Sequence, residues 1–281
     1  MQLPSILVED MVRAALKEDL GHGLDITSQS ILPQDAQTRA TFRAREGGVL
    51  AGLVFAFSTF MHVDPEFEFE ILANDGDVLE KGQDIALVTG PATSLLAAER
   101  VALNFLIHMS GIATLTRRYV LEVQGTNAKI CDTRKTLPGL RAAQKYAVRA
   151  GGGFNHRFGL DDAVLIKDNH IAVAGSVENA LNVARENTGH MVKIEIEVDT
   201  LSQLEEVLKH GGADVVMMDN FAIDDLKKAV TLVNGQITTE ASGGVNLNTV
   251  RAIAETDVDY ISVGGLTHSA SAFDIGLDID L

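Results

Sequence analysis

Residues 131–171 read CDTRKTLPGLRAAQKYAVRAGGGFNHRFGLDDAVLIKDNHI. A short apolar run opens this stretch, a helical segment follows near 138–150, and a second apolar run, AVLIK, follows at 163–167. The same alternation of apolar runs and helical segments continues as far as residue 263. It indicates parallel strands joined by helical crossovers, which are right-handed in nearly all known sheets. The number and spacing of the runs predict a β/α barrel, either open or closed.

The chain before the barrel has a different pattern. Glu66-Phe67-Glu68-Phe69 alternates polar and apolar residues with period two, which is typical of a half-buried antiparallel strand. In this part we predict strands at 37–45, 66–73 and 84–90, and helices at 5–19, 49–61 and 94–123. In the barrel we predict strands at 128–133, 163–167, 193–198, 213–218, 236–241 and 259–263, with helices near 138–150, 176–187, 200–210, 223–233 and 247–255.

Composition limits the classes of partner. The formal net charge of −16 at pH 7 argues against a general nucleic-acid or membrane-surface binder. Cys131 is the one cysteine, so no intrachain disulfide can form, which fits a reducing compartment. The N-terminal residues carry acids and do not resemble a signal peptide, and no run of about 20 apolar residues is evident that could cross a membrane. We therefore expect a cytoplasmic protein.

Against this acidic background, residues 131–171 are net positive. Four aspartates oppose seven basic residues, which are Arg134, Lys135, Arg141, Lys145, Arg149, Arg157 and Lys167. Local positive charge in an acidic protein indicates an anion site. The glycines at 151–153 precede Asn155-His156-Arg157, and glycine allows close approach of the backbone to a ligand.

Polar residues also gather at the predicted strand ends, where barrel enzymes place their sites. The residues there are Arg134, Lys167, Glu197, Asp219, Ser242 and Gly264. Glu197 has a second interpretation, because alternate residues of KIEIEV could face solvent. Ser242-Gly243-Gly244 and Val263-Gly264-Gly265 follow two consecutive late strands, and such glycine loops often bind phosphate through backbone N–H groups.

Three motifs in this region resemble the signature of the quinolinate phosphoribosyltransferase family. They are Asp132-Thr133-Arg134-Lys135-Thr136, Asn155-His156-Arg157 and Leu165-Ile166-Lys167-Asp168-Asn169-His170. The resemblance extends over nearly the whole chain. It includes Glu99-Arg100 and Ser110-Gly111-Ile112-Ala113-Thr114, a stretch whose arginine in the family reaches a substrate across a subunit boundary. Without the family, Arg100 and Glu99 would be interpreted as a pair on a helix surface.

The resemblance implies a role for each matched residue. Arg100, Arg134, His156, Arg157 and Lys167 would bind quinolinate, a dicarboxylate that suits bidentate arginine contacts. Lys135, Glu197 and Asp219 would be catalytic, with Lys135 at the pyrophosphate and the two acids near the ribose hydroxyls. The remaining contacts to phosphoribosyl pyrophosphate would come from Thr133, Ser242, Gly243, Gly244, Val263, Gly264 and Gly265. Glu197 and Asp219 would also hold Mg²⁺, in part through water.

The resemblance also implies the reaction and the architecture. The phosphoribosyl group would pass to the pyridine nitrogen of quinolinate, with release of pyrophosphate and CO₂, in NAD biosynthesis. An N-terminal α/β sandwich-like domain at 1–105, joined by the tail 269–281, would accompany an open β/α barrel domain at 106–268. The enzyme would be a homodimer or a higher multiple with shared active sites, without nucleic-acid or membrane partners.

Three alternatives remain at this point. A paralogous phosphoribosyltransferase of the same fold, such as those linked to molybdenum transport, would act on another acceptor. A barrel aldolase or isomerase would need a Schiff-base lysine or an acid/base residue, and Lys167 is a candidate for the lysine. A lipoyl or biotinyl carrier module would use the turns of residues 75–90, although no modifiable lysine stands at the expected tip.

Overall fold

A computed structural model describes residues 3–23 and 25–280. It divides into two compact units. The first unit contains the described residues of 1–117, 136–152 and 266–281, and the second contains 118–135 and 153–265. Both units are therefore discontinuous in sequence, and the unit that contains the N-terminal residues also takes in the tail.

Helices and strands alternate along most of the chain. The helices are α1 (Ser5–Leu20), α2 (Ile26–Ile31), α3 (Leu53–Val63), α4 (Ala92–Glu122), α5 (Arg141–Ala150), α6 (Asp168–Ala174), α7 (Val177–Asn187), α8 (Leu201–His210), α9 (Ile223–Val233), α10 (Val250–Ala254) and α11 (Gly265–His268). The strands are β1 (Gln37–Ala44), β2 (Gly48–Val49), β3 (Glu68–Ile71), β4 (Val78–Leu79), β5 (Asp84–Pro91), β6 (Lys129–Cys131), β7 (Val164–Ile166), β8 (Ile194–Val198), β9 (Val215–Asp219), β10 (Thr238–Ser242), β11 (Tyr260–Ser262) and β12 (Ile275–Ile279).

The first unit is built on an antiparallel sheet with strand order β12-β1-β5-β3. The tail strand β12 pairs with β1, with Phe42 opposite Leu277. Apolar side chains from one face of this sheet pack against α3 and α4, and Phe42, Phe60 and Leu106 are fully buried among them. Period-two alternation in the strands thus buries one sheet face, as expected for an antiparallel sheet covered on one side.

Helix α4 corrects one expectation from the sequence. It has the length and apolar composition that a membrane span requires, whereas we expected no such stretch. However, 61% of its most apolar window is buried inside the protein. One helix of this kind is weak evidence for a membrane, because the buried core helix of a globular protein has the same composition.

The second unit is a six-stranded parallel sheet with order β6-β11-β10-β9-β8-β7. The end strands β6 and β7 each pair with one neighbouring strand of this sheet, so the predicted β/α barrel is confirmed in its open form. In β8, Ile194, Ile196 and Val198 are fully buried on one side, while Glu195 and Glu197 project to the other. The carboxyl ends of parallel strands meet at one edge, and that edge positions the site.

The short elements differ most from the prediction. Helices α2, α6 and α11 and strands β2 and β4 were not expected, and α3 begins at Leu53 rather than at residue 49. Helix α2 forms because the Asp25 side chain accepts hydrogen bonds from the backbone N–H groups of Thr27 and Ser28. Elements of this length depend on such local caps and on packing, so hydrophobic periodicity does not reveal them.

Candidate active site

A cavity of about 350 Å³ opens at the carboxyl ends of the parallel strands of the second unit. Its lining residues are Thr133, Arg134, Lys135, His156, Arg157, Leu165, Lys167, Glu197, Met217, Asp219, Glu240, Ser242 and Ser262. The sequence motifs on different strands therefore meet in one place. Leu165, Met217, Glu240 and Ser262 were not anticipated from the sequence.

Asp132 ties two of the motifs together. Its carboxylate is fully buried and accepts hydrogen bonds from Asn155 Nδ2 at 2.5 Å and from the backbone N–H of His156 at 3.0 Å. The backbone N–H of Asp132 also donates to the carbonyl of Phe154 at 3.1 Å. These contacts explain why an aspartate and an asparagine occur in the motifs: they fix the loop that carries His156 and Arg157 beside the end of β6.

Two arginines face the cavity with unused donors. The Nε atoms of Arg134 and Arg157 are buried and have no hydrogen-bond acceptor among the described residues. Burial, and secondarily the charge of Arg134, lowers the pKa of Arg157, whose Nη1 donates to the carbonyl of Ala163 at 3.0 Å. Buried donors without acceptors are costly unless a ligand satisfies them, so this pair suits an anion with more than one carboxylate.

His156 is held by hydrogen bonds at both ring nitrogens. Its Nδ1 accepts from the backbone N–H of Arg157 at 2.8 Å, so the proton of a neutral ring lies on Nε2. Nε2 lies 2.9 Å from Glu195 Oε2 and 3.7 Å from Glu240 Oε1, and it therefore donates to Glu195. The ring thus faces the cavity with its two nitrogens already engaged by the protein.

Glu195 and Glu240 form, with His156, a group that we call the buried cluster. One carboxylate oxygen of each acid, Oε1, is buried without a hydrogen-bond partner among the described residues. Burial, reinforced by the charge of Glu195, raises the pKa of Glu240 to about 7. The sequence did carry a signal for Glu195, because it is two residues from Glu197 on β8 and shares its face.

The geometry argues against a metal ion in the buried cluster. Donor atoms of His156, Glu195 and Glu240 lie within 4.8 Å of one another, as metal ligands would. A metal at Nε2 would have to displace the proton there, while Nδ1 already accepts the N–H of Arg157. A neutral ring cannot accept at both nitrogens, so this cluster is suited to hold a proton.

A second acidic group lies at the mouth of the cavity. Oxygen atoms of Glu197, Asp199 and Asp219 lie within 4.8 Å of one another, and all three side chains are at least partly accessible. An all-oxygen donor set open to water fits Mg²⁺, which keeps several waters and takes few carboxylates. Asp199 was missed, although it directly follows the last residue of β8, a position that the strand-end argument could have included. Lys167 Nζ donates to Glu197 Oε2. Lys167, Glu197 and Asp219 all line the cavity, and we call these three residues the mouth cluster.

The glycine loops are less uniform than their sequences suggest. Gly243 and Gly244 have φ angles of 91° and 62°, which glycine adopts without strain. Ser242 lines the cavity, while the described lining residues do not include Gly243, Gly244, Val263, Gly264 or Gly265. The backbone N–H of Val263 already donates to the carbonyl of Cys131 at 2.9 Å. Thr133 Oγ1 accepts from the backbone N–H of Lys135 at 3.0 Å.

Arg100 lies on α4 in the first unit. Its side chain is 62% exposed and lies 4.0 Å from Glu99, so it forms a loose surface ion pair within the chain. It is not among the described residues that line the cavity. A long, exposed and weakly held arginine is available to a second chain.

Comparisons with known proteins agree with the motifs. Residues 25–110 match the family model described as the N-terminal domain of quinolinate phosphoribosyl transferase, and residues 112–278 match its C-terminal domain. The chain belongs to the quinolinate phosphoribosyltransferase family.

Individual members of this family align along almost the whole chain. The probable nicotinate-nucleotide pyrophosphorylase [carboxylating] of Bacillus subtilis (strain 168) is 48% identical over 94% of this chain and 90% of its own length. The nicotinate-nucleotide pyrophosphorylase [carboxylating] of Mycobacterium leprae (strain TN) is 46% identical over 96% of both chains. The crystal structure of nicotinate-nucleotide pyrophosphorylase from Ehrlichia chaffeensis superposes with a TM-score of 0.94 at 44% identity, covering both chains fully.

Proposed function

We propose that this chain transfers the phosphoribosyl group of phosphoribosyl pyrophosphate to the ring nitrogen of quinolinate. The products are nicotinate mononucleotide, pyrophosphate and CO₂, and the step belongs to NAD biosynthesis. The observation that carries the proposal is the pair of half-buried arginines, Arg134 and Arg157, each with a buried and unused Nε donor, that line one cavity. Arginine pairs with carboxylates in a bidentate manner, and quinolinate carries two adjacent carboxylates.

The cavity supplies charge where the reaction would need it. Positive charge develops on the ribosyl carbon as pyrophosphate leaves, and the carboxylates of Glu197 and Asp219 would stabilise that charge. Lys135 would neutralise the leaving pyrophosphate. Once the ring nitrogen is alkylated, its positive charge stabilises the electron pair that stays on C2 when CO₂ departs, and C2 then takes up a proton. The protein positions and neutralises the reactants, and no covalent intermediate with a side chain is required.

We propose Mg²⁺ as the cofactor, with Glu197 and Asp219 as its protein contacts, in part through water. The oxygen-only donor set at the mouth, with Asp199 alongside, supports this choice. When bound, the ion would supply charge neutralisation to the pyrophosphate. In the structure the side chain of Glu197 is paired with Lys167.

We further propose a homodimer, or a multiple of one, in which Arg100 completes the neighbouring chain's site. The exposure of Arg100 and its weak contact with Glu99 support this arrangement. Arg100→Ala and Arg134→Ala should each be nearly inactive. When the two are unfolded and refolded together, random pairing makes half of the dimers mixed, each with one whole site, so roughly a quarter of wild-type activity should return. Mixed dimers that form but stay inactive would contradict a role in trans.

We propose that the protein is cytoplasmic and has no nucleic-acid or membrane partners. The formal charge of −16 supports the proposed lack of such partners, because nucleic acids and membrane surfaces are negatively charged. Of the alternatives, an aldolase would use Lys167 as a Schiff-base nucleophile, and Nζ of Lys167 is already paired with Glu197. The paralogous enzyme is distinguished by its acceptor.

The test is direct. The protein is incubated with quinolinate, phosphoribosyl pyrophosphate and Mg²⁺, and nicotinate mononucleotide and CO₂ are measured. Arg134→Ala should abolish both products. Lys193→Ala is a matched control, because Lys193 is an exposed cation of the same unit that pairs with Asp214 away from the cavity. Absence of product from quinolinate, together with turnover of another acceptor, would replace the proposal with the paralogous activity.

A further inference from the structure

Asn220 follows the last residue of β9 and has a backbone conformation that is uncommon among non-glycine residues. Its φ angle is 56°, in the left-handed region that favours glycine. Among the described residues, Asn234 and Asp257 are the other non-glycine residues with positive φ. Asn234 follows the last turn of α9, where such a conformation commonly ends a helix. No helix end explains Asn220.

The side chain of Asn220 contacts the mouth of the cavity from outside. Its Nδ2 donates to Asp219 Oδ2 at 2.6 Å. One carboxylate oxygen of Asp219 is thereby occupied by an amide donor, which fixes the plane of the carboxylate and leaves Oδ1 for a ligand. Asn220 itself does not line the cavity.

The same residue also contacts the loop after the next strand. The backbone N–H of Asn220 donates to the carbonyl of Ser242 at 2.9 Å. A Cβ atom on Gly243 would overlap Oδ1 of Asn220 and lie 2.9 Å from its backbone nitrogen. Glycine at 243 is therefore required by the packing of Asn220 as well as by its own φ of 91°.

From these contacts we propose that Asn220 is a positioning residue for the phosphoribosyl pyrophosphate half of the site. It joins the carboxylate of Asp219 to the 242–244 loop, so that the acid and the loop are presented to the ligand as one preformed unit. The inference rests on the function proposed above. It concerns one substrate alone, because the contacts of Asn220 with Asp219, Ser242 and Gly243 lie at β9, β10 and the loop after β10. By contrast, Arg134 follows β6, and Arg157 lies between α5 and β7.

Two variants separate the backbone of Asn220 from its side chain. Asn220→Gly keeps a backbone that adopts positive φ readily but removes the amide. Asn220→Asp keeps the size and tolerance of this conformation but places a second carboxylate against Asp219. Asn234→Gly is the matched control, since it makes the same change at a residue with φ of 45° that lies at the opposite end of the strands.

Calorimetry and steady-state kinetics give the decisive readouts. Loss of a hydrogen bond to a charged group is expected to weaken binding of phosphoribosyl pyrophosphate with Mg²⁺ about tenfold in Asn220→Gly, with a matching rise in its KM. Asn220→Asp should weaken binding of phosphoribosyl pyrophosphate more, because it places a second carboxylate against Asp219. The Kd for quinolinate and the Tm should stay near those of Asn234→Gly. In an Asp219→Ala background, adding Asn220→Gly should change the Kd by less than about threefold, because the contact is already gone.

Several results would overturn the inference while leaving the proposed function intact. One is a wild-type enzyme that makes nicotinate mononucleotide and an Asn220→Gly variant with unchanged affinity for phosphoribosyl pyrophosphate. Another is an equal loss of affinity for both substrates with a lowered Tm, which would indicate a merely structural role. Full additivity with Asp219→Ala would show that Asn220 does not act through that acid. Failure of the wild-type enzyme to turn over quinolinate would instead refute the function.

Discussion

Glu195 and Glu197 lie two residues apart on one strand and face the same side, yet they belong to clusters with different properties. In the buried cluster, Glu195 and Glu240 are both buried, with His156 as the nearest neutralising group. In the mouth cluster, Glu197 is paired with Lys167, whose side chain is 45% exposed, although the side chain of Glu197 is 11% exposed against 9% for Glu195. A difference of two residues along β8 thus separates an acid whose partner is a nearly buried histidine from an acid whose partner is an exposed lysine.

The comparison shows how the partner decides the chemistry of a carboxylate, because Glu195 and Glu197 are themselves buried to nearly the same extent. In the buried cluster the cheapest way to reduce negative charge is to keep a proton, and the pKa of Glu240 is raised to about 7 accordingly. In the mouth cluster the partner of Glu197 is the Nζ of the exposed Lys167, which a ligand cation could replace. We therefore assign ligand chemistry to the mouth cluster and support of His156 to the buried cluster.

The largest effect should follow from a change in the mouth cluster. Asp219→Asn removes a negative charge that would stabilise the developing cation, and losing one such group typically costs about 100-fold or more in turnover. The Kd for quinolinate should change by less than about threefold, because the proposed quinolinate contacts follow other strands. Steady-state kinetics and calorimetry measure the two quantities. A loss of quinolinate affinity with normal turnover would contradict the assignment.

The cations at the cavity should give the next largest effect. Nicotinate lacks one carboxylate of quinolinate, so one charge-assisted contact to Arg134 or Arg157 would be lost. Such a contact is worth about 1.5–3 kcal/mol, which predicts a kcat/KM lower by roughly 10- to 100-fold. Comparable kcat/KM values for the two acceptors would show that the arginines do not recognise a dicarboxylate.

Much of the fold could be predicted because its signals are local. The apolar runs of the barrel strands and the helical segments between them appear in the sequence, and the open barrel was confirmed. Whether the barrel closes depends on β6 and β7, and pairing between residues so far apart leaves no local signal. The short helices α2 and α6 depend on caps and context in the same way.

Some of the residues that line the cavity could be predicted, because strand ends and motifs also appear locally in the sequence. Strand ends and motifs indicated Arg134, Lys167, Glu197 and Asp219, and the structure places all four around one cavity. Glu240 was missed because polar alternation in QITTEA looks the same for an inward-facing residue and for one that faces solvent. The positive φ of Asn220 could not be predicted from the sequence, because asparagine occurs in turns with either sign of φ.

A smaller effect should appear in the free energy of unfolding when Glu195 is replaced by alanine or by glutamine. Glu195→Ala leaves the Nε2–H donor of His156 buried without its acceptor, which should cost about 1–3 kcal/mol of unfolding free energy. Glu195→Gln retains an acceptor oxygen and should cost less than about 1 kcal/mol. Denaturant unfolding of the two variants measures the difference. Equal losses would mean that the bond to His156 does not hold the ring.

A second effect on stability should appear in the pH dependence of Glu240→Gln. The pKa of Glu240 is raised in the folded protein to about 7, chiefly by burial and then by the charge of Glu195, from an ordinary value of 4.5. The folded state therefore holds a proton that the unfolded state has released, and stability falls as pH rises from about 4.5 through about 7.

A glutamine cannot titrate, so the variant escapes this loss. Its Tm relative to wild type should be more favourable at pH 8 than at pH 5, by about 2 °C or more, since roughly 1 kcal/mol shifts Tm by about 2–4 °C in proteins of this size. Calorimetric scans at the two pH values, with Glu205→Gln as an exposed control on α8, measure the shift. A pH-independent difference between variant and wild type would mean that Glu240 keeps no proton at neutral pH, and the contrast between the buried and mouth clusters would then rest on the partners of Glu195 and Glu197 alone.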